Sequence, residues 1–306
     1  MPHGSNAALI QVSFAYAAPV RLSPTPVQAR IGKRTETDMN NTTTLLLMNG
    51  DTPDGVISDL AEASLQNQTH LSCLILGVGP ELPMSTYGIP PYGTLNVPED
   101  WGDRLEIAHQ KQSKRVQQVE QILAHSNVSG DVQSAFCVNS EIRHHVGRKA
   151  RVSDIAHIAP NLRDAPEEWR EAAHGVLFQS PIGLILNGKS GVPIKRIFVA
   201  WDSSKSASRA AHVALPYLKA ADEVVIGCFD PVTTAVADGA DPGTGLAAWL
   251  SHHGCKVTVS QFPSGGEEIA QCIQDRAKES GADLVVMGAY GHARMLQAVF
   301  GGTTRS

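Results

Sequence analysis

The apolar run Leu284-Val285-Val286-Met287 leads into Gly288-Ala289-Tyr290-Gly291, and nine residues later come Gly301-Gly302-Thr303-Thr304. Glycines placed directly after a strand let backbone N–H groups approach phosphate oxygens, because no Cβ stands in the way. The hydroxyls of Thr303 and Thr304 add donors to such a cradle, and His292 and Arg294 lie beside it as candidate phosphate partners. Asp202 closes a second apolar run, Ile197–Trp201. There a carboxylate accepts from a ribose hydroxyl or from nearby amides, and it suits equally well the cap of a following helix. Singly, these residues have ordinary readings: turn glycines, solvated surface groups, a helix cap. The third glycine at a set distance is what favours phosphate chemistry.

Other patterns carry less. Gly183-Leu184-Ile185-Leu186-Asn187-Gly188-Lys189-Ser190 has the letters of a phosphate-binding P-loop, but its interior is an apolar strand. Gly191-Val192-Pro193 then stands where the loop's helix should begin, so the match is accidental. Ser264-Gly265-Gly266 is similar to the pyrophosphate loop of ATP-cleaving enzymes, but Glu267-Glu268 follows, as suits a helix N-terminus. Neither histidine doublet, His144-His145 or His252-His253, can chelate as a pair, since adjacent helical residues point about 100° apart. No CxxC pair, nucleophile elbow or Ser-His-Asp arrangement is visible. The expectation is no catalytic residue, no metal, and at most weak ATP hydrolysis.

From residue 43 onward, short apolar runs alternate with amphipathic stretches, the pattern of βαβ units and parallel sheets. The first half predicts strands near Thr44–Met48, Leu71–Val78, Val132–Val138, Ile155–Ala159 and Ile182–Leu186. Its helices are predicted over Pro53–Gln66, Asp103–His125, Ser140–Lys149 and Glu167–Phe178. The stretch Pro80–Gly102 holds five prolines and predicts an irregular loop. The second half repeats the order, with strands at Arg196–Trp201, Glu223–Phe229, Val257–Phe262 and Leu284–Gly288. Helices are predicted at Ser204–Ala221, kinked by Pro216, and at Leu246–His253 and Glu267–Ser280. Leu45–Met48 overlays Ile197–Ala200, which marks a duplication and not a short-period repeat.

Length and charge bound the rest. The 306 residues suffice for two domains, and a hydrophobic fraction of 42% excludes wholesale disorder. Arg21, Arg30, Lys33 and Arg34 make residues 1–34 basic, leaving 21 basic and 30 acidic residues, a net −9, on the remaining 272. So acidic a body has no broad attraction for nucleic acid or anionic lipid, and no run is long enough to cross a membrane. The five scattered cysteines fit small buried hydrophobes in a reducing, cytoplasmic setting. Residues 1–40 read as a disordered extension. Ala15-Tyr16-Ala17 fits a signal-peptidase site, but Met1–Asn6 lacks the Lys or Arg of a signal, and Met39 is a candidate start.

At its glycine run the chain resembles the universal stress protein family, whose nucleotide pattern is G-x2-G-x9-G-[ST]. Gly288, Gly291 and Gly301 keep that spacing, with Gly302 at the hydroxyl position and Thr303 next to it. Ile197–Asp202 and Gly281–Gly288 also look like that family's first and fourth strands. The resemblance is strong in the second half and confined to strand order in the first. It implies an α/β protein of two tandem Rossmann-like, flavodoxin-like domains with parallel sheets ordered 3-2-1-4-5. Residues 41–190 would form a degenerate domain and residues 194–306 a nucleotide-binding one. The chain stops where family members continue into a fifth strand, so the second domain is expected to lack its last strand and to expose an apolar edge.

The implied function is a cytoplasmic stress-response protein that binds ATP, or ADP or AMP, with or without Mg²⁺, as a regulatory or structural ligand. The implied site comprises Asp202, Met287, Gly288, Gly291, His292, Arg294, Gly301, Gly302, Thr303 and Thr304. In the first half, Ala159, Leu162 and Gln179 stand opposite the three glycines, and no nucleotide is expected there. The halves are expected to pair as an intramolecular pseudo-dimer, with a homodimer as a further option. A slow ATPase and a nucleotide-free interaction scaffold are the alternatives.

Overall fold

The computed structural model describes residues 8–12, 42–80, 99–188, 194–234 and 239–289. Ala8–Val12 (β1) precedes two halves of like order. The first half runs Thr43–Asn49 (β2), Asp54–Gln66 (α1), His70–Val78 (β3), Trp101–His125 (α2), Gly130–Cys137 (β4) and Asn139–Ala150 (α3). It continues through Ile155–Ile158 (β5), a 3₁₀ turn at Pro160–Asp164, Pro166–Gln179 (α4) and Gly183–Leu186 (β6). The second half runs Arg196–Trp201 (β7), Lys205–Val213 (α5), Leu215–Ala220 (α6), Glu223–Phe229 (β8) and Thr244–His252 (α7). It closes with Val257–Phe262 (β9), Ile269–Glu279 (α8) and Leu284–Gly288 (β10).

Strands buried on both faces read as unbroken apolar runs. Leu45–Met48 in β2 and Leu284–Met287 in β10 are such runs, and every one of these residues is buried. Along β7 the period of two sorts the side chains. Ile197 and Val199 join the core under α5, α6 and α7, whereas Phe198 and Ala200 join the one under α8. Pro216 does more than kink its helix. It divides the predicted single helix into α5 and α6, because its ring nitrogen cannot donate to a carbonyl one turn back.

The strands line up as β4-β3-β2-β5-β6-β1-β10-β7-β8-β9. Within the first half this is the expected order 3-2-1-4-5, all parallel. Among the described residues the second half supplies four parallel strands of its own, and β1 takes the place beside β10. Strand β1 runs parallel to β10, with Ala8 opposite Leu284 and Val12 opposite Gly288. It runs antiparallel to β6, with Ile10 opposite Ile185. This single antiparallel seam joins the two half-sheets into one.

Two expectations are corrected here. The arm before residue 41 is not wholly without structure, since Ala8–Val12 is a strand. The apolar edge of β10 is not exposed, because β1 pairs with it. An unpaired row of N–H and C=O groups on each half would attract any extended segment, and this chain provides one. Most of the Pro80–Gly102 loop lies outside the described residues, although Trp101 and Gly102 already belong to α2.

Candidate functional site

Asp202 follows β7 directly and is exposed. Its Oδ1 accepts from the backbone N–H of Ser204 at 3.1 Å. The cap of α5 is provided by Ser204, whose Oγ accepts from the N–H of Ala207 at 3.1 Å. Of the two roles open to Asp202, helix capping is therefore taken by a neighbour, and the carboxylate keeps acceptor capacity beyond its bond to Ser204. Ser203, between them, has a left-handed φ of 57°, which makes this tight turn.

Met287 and Gly288 end β10, the neighbour of β7 in the sheet. Met287 is buried under α8 beside Ala270 and Ile273. Gly288 has a packing reason to be glycine. A Cβ there would lie 2.6 Å from the backbone nitrogen of Ala207 and 2.7 Å from the carbonyl carbon of Ser206. The start of α5 thus crosses the end of β10 at a distance only glycine permits.

Asp202, Met287 and Gly288 converge on one recess at the carboxyl ends of β7 and β10, lined also by Phe229, Ile269 and Ile273. Open α/β sheets bind ligands at that end of their strands. The recess holds about 60 Å³, well below the roughly 300–1,000 Å³ of a typical ligand pocket. Apart from Asp202, its lining is apolar or glycine. Gly291, His292, Arg294, Gly301, Gly302, Thr303 and Thr304 lie outside the described residues.

A roomier cavity of about 480 Å³ opens on the opposite face of β7, between α5 and the start of α7. Its walls include Trp201, Ser208, His212, Asp241, Thr244 and Trp249. His212 stacks on Trp249 with ring centroids 4.4 Å apart, and its Nδ1–H donates to the Ser208 carbonyl at 2.8 Å. Sequence reasoning missed this cavity. Trp249 falls within a predicted helix, and a loop with glycines and Asp241 gives no sign that it folds back over α5.

In the first half the described residues at the corresponding strand ends pack against one another. Leu162 is fully buried within the core. Across the ends of β2 and β5, Asn161 Nδ2 donates to Asn49 Oδ1 at 2.8 Å, and Thr52 Oγ1 donates to Asn161 Oδ1 at 3.0 Å. Asn49 Nδ2 reaches Glu168 Oε2 at 3.4 Å, where burial pushes the Glu168 carboxyl above its usual range. These polar groups satisfy one another. Arg115 braces the same region, donating to the Thr52 carbonyl and to Asp54.

Comparison with solved structures gives the fold its relatives. A universal stress protein from Archaeoglobus fulgidus DSM 4304 superposes with a TM-score of 0.53 at 14% identity, over 80% of this chain and 86% of that one. A protein of the universal stress protein family from Burkholderia pseudomallei is 25% identical over 36% of this chain and 92% of that one, with a TM-score of 0.28. No protein-family profile and no curated protein matches the sequence. The chain therefore shares the fold of universal stress proteins, with tandem parallel α/β halves. Among the described residues no helix is long and apolar enough to cross a membrane.

Proposed function

We propose that this chain is a cytoplasmic stress-response protein that binds one adenine nucleotide, ATP or its ADP or AMP form, in its second half as a regulatory or structural ligand. The observation that carries this reading is the convergence of Asp202, Met287 and Gly288 on one recess at the strand ends, directly ahead of the Gly291 and Gly301 spacing. In this reading Met287 and Phe229 hold the base and Asp202 accepts from the ribose. The glycine run, with Thr303 and Thr304, receives the phosphates, and His292 and Arg294 stand beside them. Mg²⁺, where present, rides on the phosphates. The network of Asn49, Thr52 and Asn161 supports a stoichiometry of one, since these polar groups at the ends of β2 and β5 are bonded to one another.

Titration calorimetry with ATP on the freshly purified full chain tests this, together with native mass spectrometry for retained nucleotide. The expected result is one equivalent bound. Gly291→Leu sets four carbons where phosphate would lie and forfeits charge-assisted bonds of ~1.5–3 kcal/mol each, a loss of at least about tenfold per bond. Two equivalents, no binding, or an unimpaired Gly291→Leu would overturn the proposal. Retained ADP alone, with phosphate released from added ATP, would make the protein a slow ATPase. The scaffold reading keeps one observation of its own: packing against α5 already accounts for Gly288 without any phosphate.

A further inference from the structure

The carboxyl end of β4, at the outer edge of the first half, gathers three side chains that the nucleotide reading does not require, although Cys137 also packs against the core. Cys137 is the last residue of β4, and Glu141 and His145 follow at four-residue steps on α3. Residues four apart share a helix face, so the carboxylate and imidazole stand one above the other, with the thiol at the head of the row. One ligand atom from each of the three lies within 4.8 Å of the other two. Among the described residues no other trio of His, Cys, Asp and Glu comes so close. Thiolate, imidazole and carboxylate together are the donor set of zinc, whose sites with three protein ligands keep a fourth position for water. We propose that Cys137, Glu141 and His145 form a three-ligand site for Zn²⁺.

The surroundings bear on its affinity. Arg148, exposed on the next turn of α3, donates from Nη2 to Nδ1 of His145 at 3.1 Å. A guanidinium and a dication cannot share one imidazole, so binding must swing Arg148 into solvent, and Arg148 weakens the site. His144 points about 100° away from His145 and is no ligand. All three ligands come from one nine-residue segment, Cys137 to His145, so the metal demands side-chain rotation and no change of fold.

Co²⁺, which reports its ligands by absorption, is titrated into the reduced, chelator-stripped full chain, and Zn²⁺ then displaces it. One equivalent of Co²⁺ should give tetrahedral d–d bands and a thiolate-to-cobalt charge-transfer band, both lost on adding Zn²⁺. Cys137→Ser should abolish the charge-transfer band, and Cys137→Ser and His145→Ala should each weaken Zn²⁺ by at least about tenfold. Arg148→Gln should tighten it several-fold, and Cys272→Ser, at a buried cysteine of the other half, should change nothing. Cys137 and His145 are both partly exposed, so circular dichroism should show their variants folded. Absence of the charge-transfer band in the wild type, its survival in Cys137→Ser, or weaker binding by Arg148→Gln would each overturn the proposal.

Discussion

Gly288→Ala is the substitution whose cost follows most directly from the geometry. The new methyl carbon would meet Ala207 N at 2.6 Å, Ser206 C at 2.7 Å and Ser206 Oγ at 2.8 Å. Ordinary carbon contacts begin near 3.5 Å, so the first turn of α5 must retreat by roughly 0.8 Å. The clashing atoms are mostly backbone, and no rotamer change relieves them. Ala207 N is also the donor in the Ser204 cap, and losing a cap costs about 1 kcal/mol. Overpacking a close contact adds about 1–3 kcal/mol, so the expected destabilisation is ~2–4 kcal/mol. Urea titration of the nucleotide-free protein, followed by circular dichroism, reads it as a lower midpoint at unchanged slope. The nucleotide-free state matters, because it separates packing from any loss of ligand. Stability within 0.5 kcal/mol of wild type would refute the argument and return Gly288 to a purely ligand-facing role.

Two further outcomes are expected. Ile10→Pro removes a ladder donor from the middle of β1, where Ile10 stands opposite both Val286 and Ile185. The edges of β6 and β10 should then open, and light scattering should show self-association; an unaltered monodisperse protein would count against the role of β1. His157 in β5 is held neutral by burial, its pKa pushed down to about 4 from 6.5. The unfolded chain therefore takes up a proton that the folded one refuses, and stability present above pH 6.5 is lost as pH falls towards 4, by about 2 kcal/mol near pH 5. His157→Gln should flatten that limb of the urea midpoint against pH, and an equal slope in the variant would show that the loss arises elsewhere.

The strand-and-helix alternation was legible because parallel strands covered on both faces leave unbroken apolar runs such as Leu45–Met48. The disturbance at Pro216 was legible for a local reason, a missing N–H, although the pattern predicts a kink in one helix where the structure has two helices. What could not be read depends on distance. Asn49 and Asn161 stand 112 residues apart and only the fold brings them together, so the sequence marked the loss of the glycine pattern at Ala159, Leu162 and Gln179 but not this network. Asp202 and Ser204 are both capping types, and the left-handed turn at Ser203 decided between them. Cys137, Glu141 and His145 stand at four-residue steps, but Cys137 lies on β4 and the other two on α3, so helix periodicity alone does not bring the three together. Four apolar residues and Gln11, Ala8–Val12, inside a Pro- and Arg-rich arm look like unstructured chain until the edges of β6 and β10 stand beside them.

The seam formed by β1 also imposes an order on biosynthesis. Ala8 leaves the ribosome early, but its parallel partner Leu284 lies 276 positions later. At ~5–20 residues per second, roughly 14–55 s pass before the two can meet. During that interval the first half can complete its own five strands, and β1 can rest only against β6, through Leu9, Ile10 and Gln11. The nascent chain thus carries an open strand edge for most of its synthesis, a target for chaperones or for a neighbouring nascent chain on the same message. A stop codon or a translational pause after residue 190 would leave β1 with one neighbour instead of two. The second half, made alone from residue 194, would be born without the strand that closes it.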